Sequence, residues 1–327
     1  MGWRGTVRSI NATMNKIERE SRKRERELEK RRQNYEKMQE LERAAFEVEE
    51  FDNYIERIKS IHKECSAYID WNEIVNAEIP LKPIFDKKEI IALEKELDNY
   101  KGTFFQKLFN SVEKNKLKLK EKIASLEKEE ELKYQKSLKD YDLLLIEIEN
   151  NRKDAKKILE EDETTIINII KEFSPFDEID NLGTKISFSF IDKKLHIVVN
   201  VLSNKIIPLE VKTLLKSGKI SIKKMTKSNY NELYQDYVCS AVLRIAREVF
   251  SLIPINEIVI TAKDEMLDSK TGYKNLEIIL SAFIIRNTIE SLNLNNIDPS
   301  DSMQNFIHNM NFKKTTGFSS VKQVVIN

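Results

Sequence analysis

The stretch Lys185-Ile186-Ser187-Phe188-Ser189-Phe190-Ile191-Asp192-Lys193-Lys194-Leu195-His196-Ile197-Val198-Val199-Asn200-Val201-Leu202 decides the fold. From Ile186 to Phe190 apolar and polar residues alternate, which is the period of a half-buried strand. Asp192-Lys193-Lys194 supplies the turn, and 195–202 reads as the returning strand. Upstream of Ser174-Pro175 the chain has a different texture. Between Ile10 and Phe173 the only helix breakers are Gly102, Pro80 and Pro83, in a background rich in Glu, Lys, Arg and Leu, and such composition favours long helices.

Three helical stretches follow from the spacing. The first covers 7–66, with Val7, Ile10, Met14 and Ile17, then Leu28, Tyr35, Met38, Leu41, Ala45, Val48, Ile55, Ile58 and Ile61 forming a heptad-like stripe. From Glu18 to Glu27 it has no apolar residue, so that part packs through no apolar contact. Trp71, Pro80 and Pro83 mark a turn region. A second helix starts near Asp86, with Glu89 completing a capping-box-like pattern, and breaks at Lys101-Gly102. Thr103-Phe104-Phe105-Gln106-Lys107-Leu108-Phe109 is an apolar patch where the arm turns. The third helix covers 111–159, lined without strict register by Leu117, Ile123, Leu126, Leu132, Leu138, Tyr141, Leu145 and Ile148, and a short helix over 163–173 follows. Two long helices bury each other's stripe most readily as an antiparallel hairpin.

Downstream, 206–213 and 219–225 read as strands, 229–252 as an amphipathic helix ended by Pro254, 257–262 and 276–285 as strands around the turn 268–272, and Ser300 opens a last short helix. Strands joined by short turns are antiparallel. The expected class is α+β: a long antiparallel, coiled-coil-like helical arm over 1–173, then a compact domain of antiparallel sheet and helices over 174–327.

Charge excludes a global electrostatic role, because 55 Lys and Arg nearly cancel 54 Asp and Glu and leave a net charge of +1. Cys65 and Cys239 lie far apart and suggest no disulfide framework. No apolar core segment of a signal peptide and no membrane-spanning run is visible, so a cytoplasmic setting without membrane partners is expected.

Two local patterns carry chemistry. The run 19–32 holds eight basic residues against four acidic ones, and Arg22, Arg24, Arg26, Arg31 and Arg32 are candidate phosphate contacts to nucleic acid. Pairs such as Glu20/Arg24 and Glu27/Arg31 give the competing reading, a solvated helix knitted at i, i+4. Glu210 and Lys212 form Glu-x-Lys on a strand and point to one face, with Asp192 upstream. Metal-dependent nucleases of the PD-(D/E)xK class place two carboxylates and a lysine around Mg²⁺ in this way, while a solvent-facing strand explains the same residues without catalysis. His62 and Cys65 are two zinc-type donors where zinc needs four, so His62 is expected to be buried or capping, and Cys239 is expected in the core. P-loops, GxGxxG loops and serine-hydrolase elbows are absent from the sequence.

Met1-Gly2-Trp3-Arg4-Gly5-Thr6, 217–225 around Gly218, Leu233-Tyr234-Gln235-Asp236-Tyr237-Val238-Cys239, Ile297-Asp298-Pro299-Ser300-Asp301 and 312–318 around Gly317 resemble landmarks of an uncharacterised family of bacterial coiled-coil proteins. The resemblance implies a bacterial, cytoplasmic origin and transfers no catalytic residue. The expected function is a non-enzymatic interaction or scaffold protein that self-associates or docks a protein partner through its helical arm, without a cofactor. The alternative is a Mg²⁺-dependent PD-(D/E)xK-like nuclease or nucleic-acid-binding protein using Asp192, Glu210 and Lys212.

Overall fold

The computed structural model describes residues 27, 30–31, 40–101, 112–173, 185–268 and 270–326. They form two units, one from the described residues of 73–153 and one from those of 27–72 and 154–326.

In the first unit the dominant element is α4 (Val112–Leu159), a helix of 48 residues whose last six, 154–159, belong to the second unit. The return leg beside it is half extended and half helical. Residues 76–87 carry no regular structure and lead into α3 (Lys88–Asp98), whose first turn is held by Asp86 Oδ1 accepting from Lys88 N at 2.9 Å. Arg152 donates to the Ala77 carbonyl, the rings of Phe85 and Tyr134 meet edge-on at 5.5 Å, and Asn115 Nδ2 donates to Tyr100 Oη at 3.1 Å. The order of these contacts makes the leg antiparallel to α4. An extended strand rises about 3.3 Å per residue and a helix about 1.5 Å, so the short leg keeps pace with a much longer stretch of helix only because its first half is extended. Pro80 and Pro83 explain that half, since neither donates a backbone hydrogen bond.

The second unit is mixed α+β. Its six-stranded sheet has the order β1-β2-β5-β6-β7-β8, from β1 (Lys185–Ile191), β2 (Lys194–Asn200), β5 (Glu257–Leu267), β6 (Lys274–Ile285), β7 (Ile307–Lys313) and β8 (Gly317–Ser319). The β1–β2 turn is Asp192-Lys193, both in the left-handed region at φ 50° and 63°, which matches the twist of a two-residue hairpin. Leu195, Ile197 and Val199 are buried on one face, opposite Phe190, Phe188 and Ile186 of β1. The expectation of a purely antiparallel sheet is corrected: β2 and β5 pair in parallel. They are not consecutive by a short turn. The crossover between them carries α6 (Ser203–Ile206), the two-stranded sheet β3 (Glu210–Leu214) and β4 (Ile220–Lys224), and the 26-residue α7 (Lys227–Leu252). A helical crossover returns the chain in its original direction. The strand expected over 206–213 is likewise split, its start forming α6 after Leu202 at φ 41°.

α7 is buried nearly all round. Thr226 caps it, accepting from Asn229 N at 3.2 Å. At the far end Arg286 closes it: Nη1 donates to the Phe250 carbonyl at 2.7 Å, Nη2 to Ile253 at 2.6 Å and Nε to Ile255 at 2.9 Å, with the guanidinium 4.9 Å from the Phe250 ring. One side of α7 lies on the sheet and the other meets α1 (Glu40–Ser60) and the 3-10 turn Ile61–Lys63. The first long helix of the sequence reading thus packs, in its described part, in the α+β unit, where Tyr54 Oη donates to the Ile206 carbonyl at 2.7 Å. It ends at Ser60, and only the 3-10 turn continues toward Ser66. Trp71, expected in a turn region, starts α2 (Trp71–Val75) as a buried anchor, its Nε1 donating to the Leu252 carbonyl at 2.7 Å. The remaining helices are α5 (Glu163–Phe173), α8 (Arg286–Glu290) and α9 (Pro299–Ser302). On the outer sheet face Val324 packs with Val259 and Phe283. The apolar patch expected over 103–109 lies outside the described residues.

Arg286→Lys keeps the charge but cannot place three donors on three carbonyls. It is expected to lower unfolding free energy by about 1–3 kcal/mol in urea titration, with α7 fraying first from its C-terminal end in hydrogen exchange.

Candidate functional site

Along α7 a polar side chain recurs every fourth residue: Glu232, Asp236, Ser240, Arg244 and Glu248. Every-fourth spacing puts them in one row along the helix. The chain from Lys59 to Trp71 runs parallel to that row and meets it in order. Lys59 Nζ lies 3.9 Å from Asp236 Oδ2, and Ser240 Oγ donates to the Lys59 carbonyl at 3.2 Å. His62 Nδ1 is 2.8 Å from Ser240 Oγ, and its backbone N donates to the same oxygen at 3.0 Å. Arg244 pairs with Glu248 at 2.7 Å and approaches Glu64 at 3.7 Å, while Glu248 Oε1 accepts from Ser66 N at 3.1 Å. Arg247 donates to the carbonyls of His62 and Glu64. Ile69 N donates to the Ser251 carbonyl at 2.9 Å, and Trp71 closes the row on Leu252.

The Ser240–His62 pair has the donor types of a nucleophile and its base, but both residues are buried, at 0% and 1% exposure. A hydroxyl that already receives a backbone N–H and donates to a carbonyl, closed off from solvent, holds two segments together. Burial keeps the His62 imidazole below its ordinary pKa, so it stays neutral at pH 7. Burial raises the Glu248 carboxyl against the opposing pull of Arg244. The thiol of Cys65 is raised by burial and by Glu248, and that of Cys239 far more strongly by complete burial, so neither has the depressed pKa of a reactive cysteine. A second cluster lies where the β5–β6 register shifts at Ala262/Lys263, with Ile279 of β6 the extra residue: Tyr234 donates to buried Asp264, and Tyr237 Oη donates to the Val201 carbonyl at 3.2 Å. Burial and the Asp264 carboxylate push the Tyr234 phenol far up, which keeps it a donor. A cleft of about 560 Å³ opens beside the row, lined among others by Cys65, Ser66, Tyr68, Arg247 and Asn293.

The sequence candidates belong to different sheets. Asp192 is in the β1–β2 turn of the six-stranded sheet, while Glu210 and Lys212 are on β3 of the two-stranded sheet. Lys212 Nζ is 3.2 Å from Glu47 Oε2 on α1, and Glu210 stands opposite Lys224 in the β3–β4 register. Among the described residues no group of three or more His, Cys, Asp or Glu converges as a metal site. Arg31 is helical and lies 3.7 Å from Glu49 in an exposed pair. Arg22, Arg24, Arg26 and Arg32 lie outside the described residues.

The other unit presents a surface the sequence reading did not separate. Of the residues lining α4, Ile123 and Ile148 are buried and Leu126, Leu138, Tyr141 and Leu145 half-buried. Leu117, Leu132, Leu143 and Ile146 are 58%, 65%, 66% and 57% exposed. Measured from Leu117 at about 100° per residue, Ile146, Leu132 and Leu143 stand at about 20°, 60° and 80°. Ile123, Leu126, Tyr141 and Ile148 stand at about 180–240° on the same measure. The loose register of the sequence is therefore two stripes, one covered and one open, and helical angles rather than heptad letters separate them.

Comparison of the chain with protein-family models, with curated proteins and with solved structures gives no match. Among the described residues no helix is long and apolar enough to cross a membrane.

Asp236 is a titrating weak point of the polar row. Burial, then the neighbouring Asp298 carboxylate, raises Asp236 from 3.8 to about 6; Glu232 and Asp301 add to this and Lys59 opposes it. The folded chain holds this proton more tightly than the unfolded chain. The carboxyl therefore favours folding most below about pH 4, and that contribution is lost as pH rises through about 6. Asp236→Asn is expected to be more stable than the parent at pH 7 by about 1–3 kcal/mol, with the difference vanishing near pH 4, in denaturant titrations across pH. A less stable variant at pH 7 would show that the Lys59 pair outweighs desolvation.

Proposed function

We propose that this is a non-enzymatic interaction or scaffold protein that docks its partner through the helical first unit, in a cytoplasmic setting. The observation that carries the reading is the open stripe Leu117, Leu132, Leu143 and Ile146 on α4. Four large apolar side chains more than half exposed recur on one narrow arc of one helix, interrupted by Glu121, Lys128 and Lys139 at about 20–40° on the same measure, and such a stripe is of the kind that a partner helix covers. The covered stripe on the opposite side serves the unit's own packing, so the open one is not needed to hold the helix in place. The polar side chains of α7 from Asp236 to Glu248 support the same reading from the other unit, because their hydrogen bonds and ion pairs go to the 59–71 segment or to one another. Pairing along such a seam is what the coiled-coil expectation for this chain describes.

A photoreactive benzoylphenylalanine at position 132, in the full chain within its producing cell, is expected to give covalent protein adducts. The same residue at exposed position 137, on the other side of α4, is expected to give none. Equal labelling at both positions, or none at either, contradicts docking through the stripe. The alternative has its own readout: Mg²⁺-dependent cleavage of nucleic acid by the purified chain, abolished in Glu210→Ala with the fold intact, would replace the scaffold reading with a nuclease.

A further inference from the structure

The charges along α4 are mixed in its middle, over 127–139, but sorted by sign at the two ends of the open stripe. Residues 114–122 carry Lys114, Lys116, Lys118, Lys120 and Lys122 against the single acid Glu121. Residues 140–149 carry Asp140, Asp142, Glu147 and Glu149 and no basic residue. One end of the stripe is therefore basic and the other acidic. A helix of this kind repels a parallel copy of itself, because like blocks meet, and attracts an antiparallel copy, because each basic block meets an acidic one.

The register brings the outer apolar residues close to one another. If Leu132 of each copy sits at the twofold axis, Leu117 of one falls opposite Glu147 of the other, one residue from Ile146, while Leu143 falls opposite Glu121. In the same register Lys118 and Lys122 fall beside Glu147 and Asp140 on one flank, and Lys116 and Lys120 beside Glu149 and Asp142 on the other. At about 100° per residue Lys118, Lys122, Asp140 and Glu147 all lie on one side of the stripe, about 60–100° from its centre, which is the flank that meets its own equivalent across an antiparallel twofold. The charge blocks thus favour an alignment that also puts Leu132 on itself and Leu117 within one residue of Ile146.

We propose that the open face of α4 pairs with the same face of a second copy of this chain, antiparallel, with the twofold axis at Leu132. This rests on the docking role proposed for α4 and names its partner. The seam is thin, with four large apolar residues over about 44 Å of helix, so the dimer is reversible and sensitive to salt.

The test uses the full chain in a Cys65→Ser background, with Cys239 left buried. Under mild oxidation Leu132→Cys is expected to form an intermolecular disulfide, since an axial pair can meet the required Cα separation. Ser137→Cys is expected to form none. Leu117→Cys and Ile146→Cys are each expected to stay unlinked alone and to link when mixed. Homotypic links at 117 or 146 mean a parallel pair and overturn the proposal, as does light scattering that finds only monomer across the accessible concentration range. Lys118→Glu with Lys122→Glu is expected to weaken the dimer by about tenfold or more at low salt, and addition of Asp140→Lys with Glu147→Lys to restore it. A charge-reversed chain that dimerises like the parent overturns the register. A strictly monomeric chain that still gives adducts at position 132 sinks this inference alone and leaves the docking role standing.

Discussion

The α+β unit depends on the row of polar side chains along α7 and the segment from Lys59 to Trp71 laid against it. A helix packed on a sheet on one side and covered on the other can carry polar residues in its interior only if each finds a partner. Here the partners come from a segment that is not a regular helix past Ile61–Lys63, so its own backbone groups remain free to bond. Its carbonyls take Ser240 and Arg247, and its amides reach Ser240 and Glu248. Each side supplies partners to the other, with buried His62 Nε2 and Glu248 Oε2 left without a hydrogen bond among the described residues. Removal of one member costs more than the pair contributes, because a buried polar group is then left behind. The same dependence ties the residues preceding α2 to a helix almost two hundred positions later in the chain, so this unit is discontinuous in sequence.

What the sequence disclosed follows from how local each feature is. The β1–β2 hairpin was legible because period-2 alternation and its turn lie within eighteen residues. The C-terminal ends of α5 and α7 were legible for similar reasons, from Pro175 and Pro254. The parallel β2–β5 pair was not, since neighbour relations across a crossover depend on where α7 lies and leave no local mark. Strands β7 and β8 were missed because Asn309, Asn311 and Lys313 alternate with His308, Met310 and Phe312, a composition with weak β-propensity whose pairing comes from the edge of β6. Trp71 was taken for punctuation because the neighbouring prolines dominate the local signal; its hydrogen bond to Leu252 is a long-range fact. The candidate surface was half legible. Leu117 and Leu132 were on the stripe, but one lining without strict register merged them with the covered residues, and Leu143 and Ile146 went unremarked.

Net charge is the least informative number about this chain, and α4 shows why. A sum of +1 argues against a global field, and that argument holds. It says nothing about order. Five lysines within nine residues near one end of a helix, and four acids within ten residues toward the other, cancel in the sum while making the two ends electrostatically opposite. Within a Debye length of about 8–10 Å an approaching surface meets one block at a time and never the total. The apolar stripe between the blocks supplies attraction without direction, since hydrophobic burial has no polarity along the helix. Direction must come from the charges. A helix whose apolar residues permit either orientation, and whose charge blocks permit one, carries in its sequence order the information that its composition cancels.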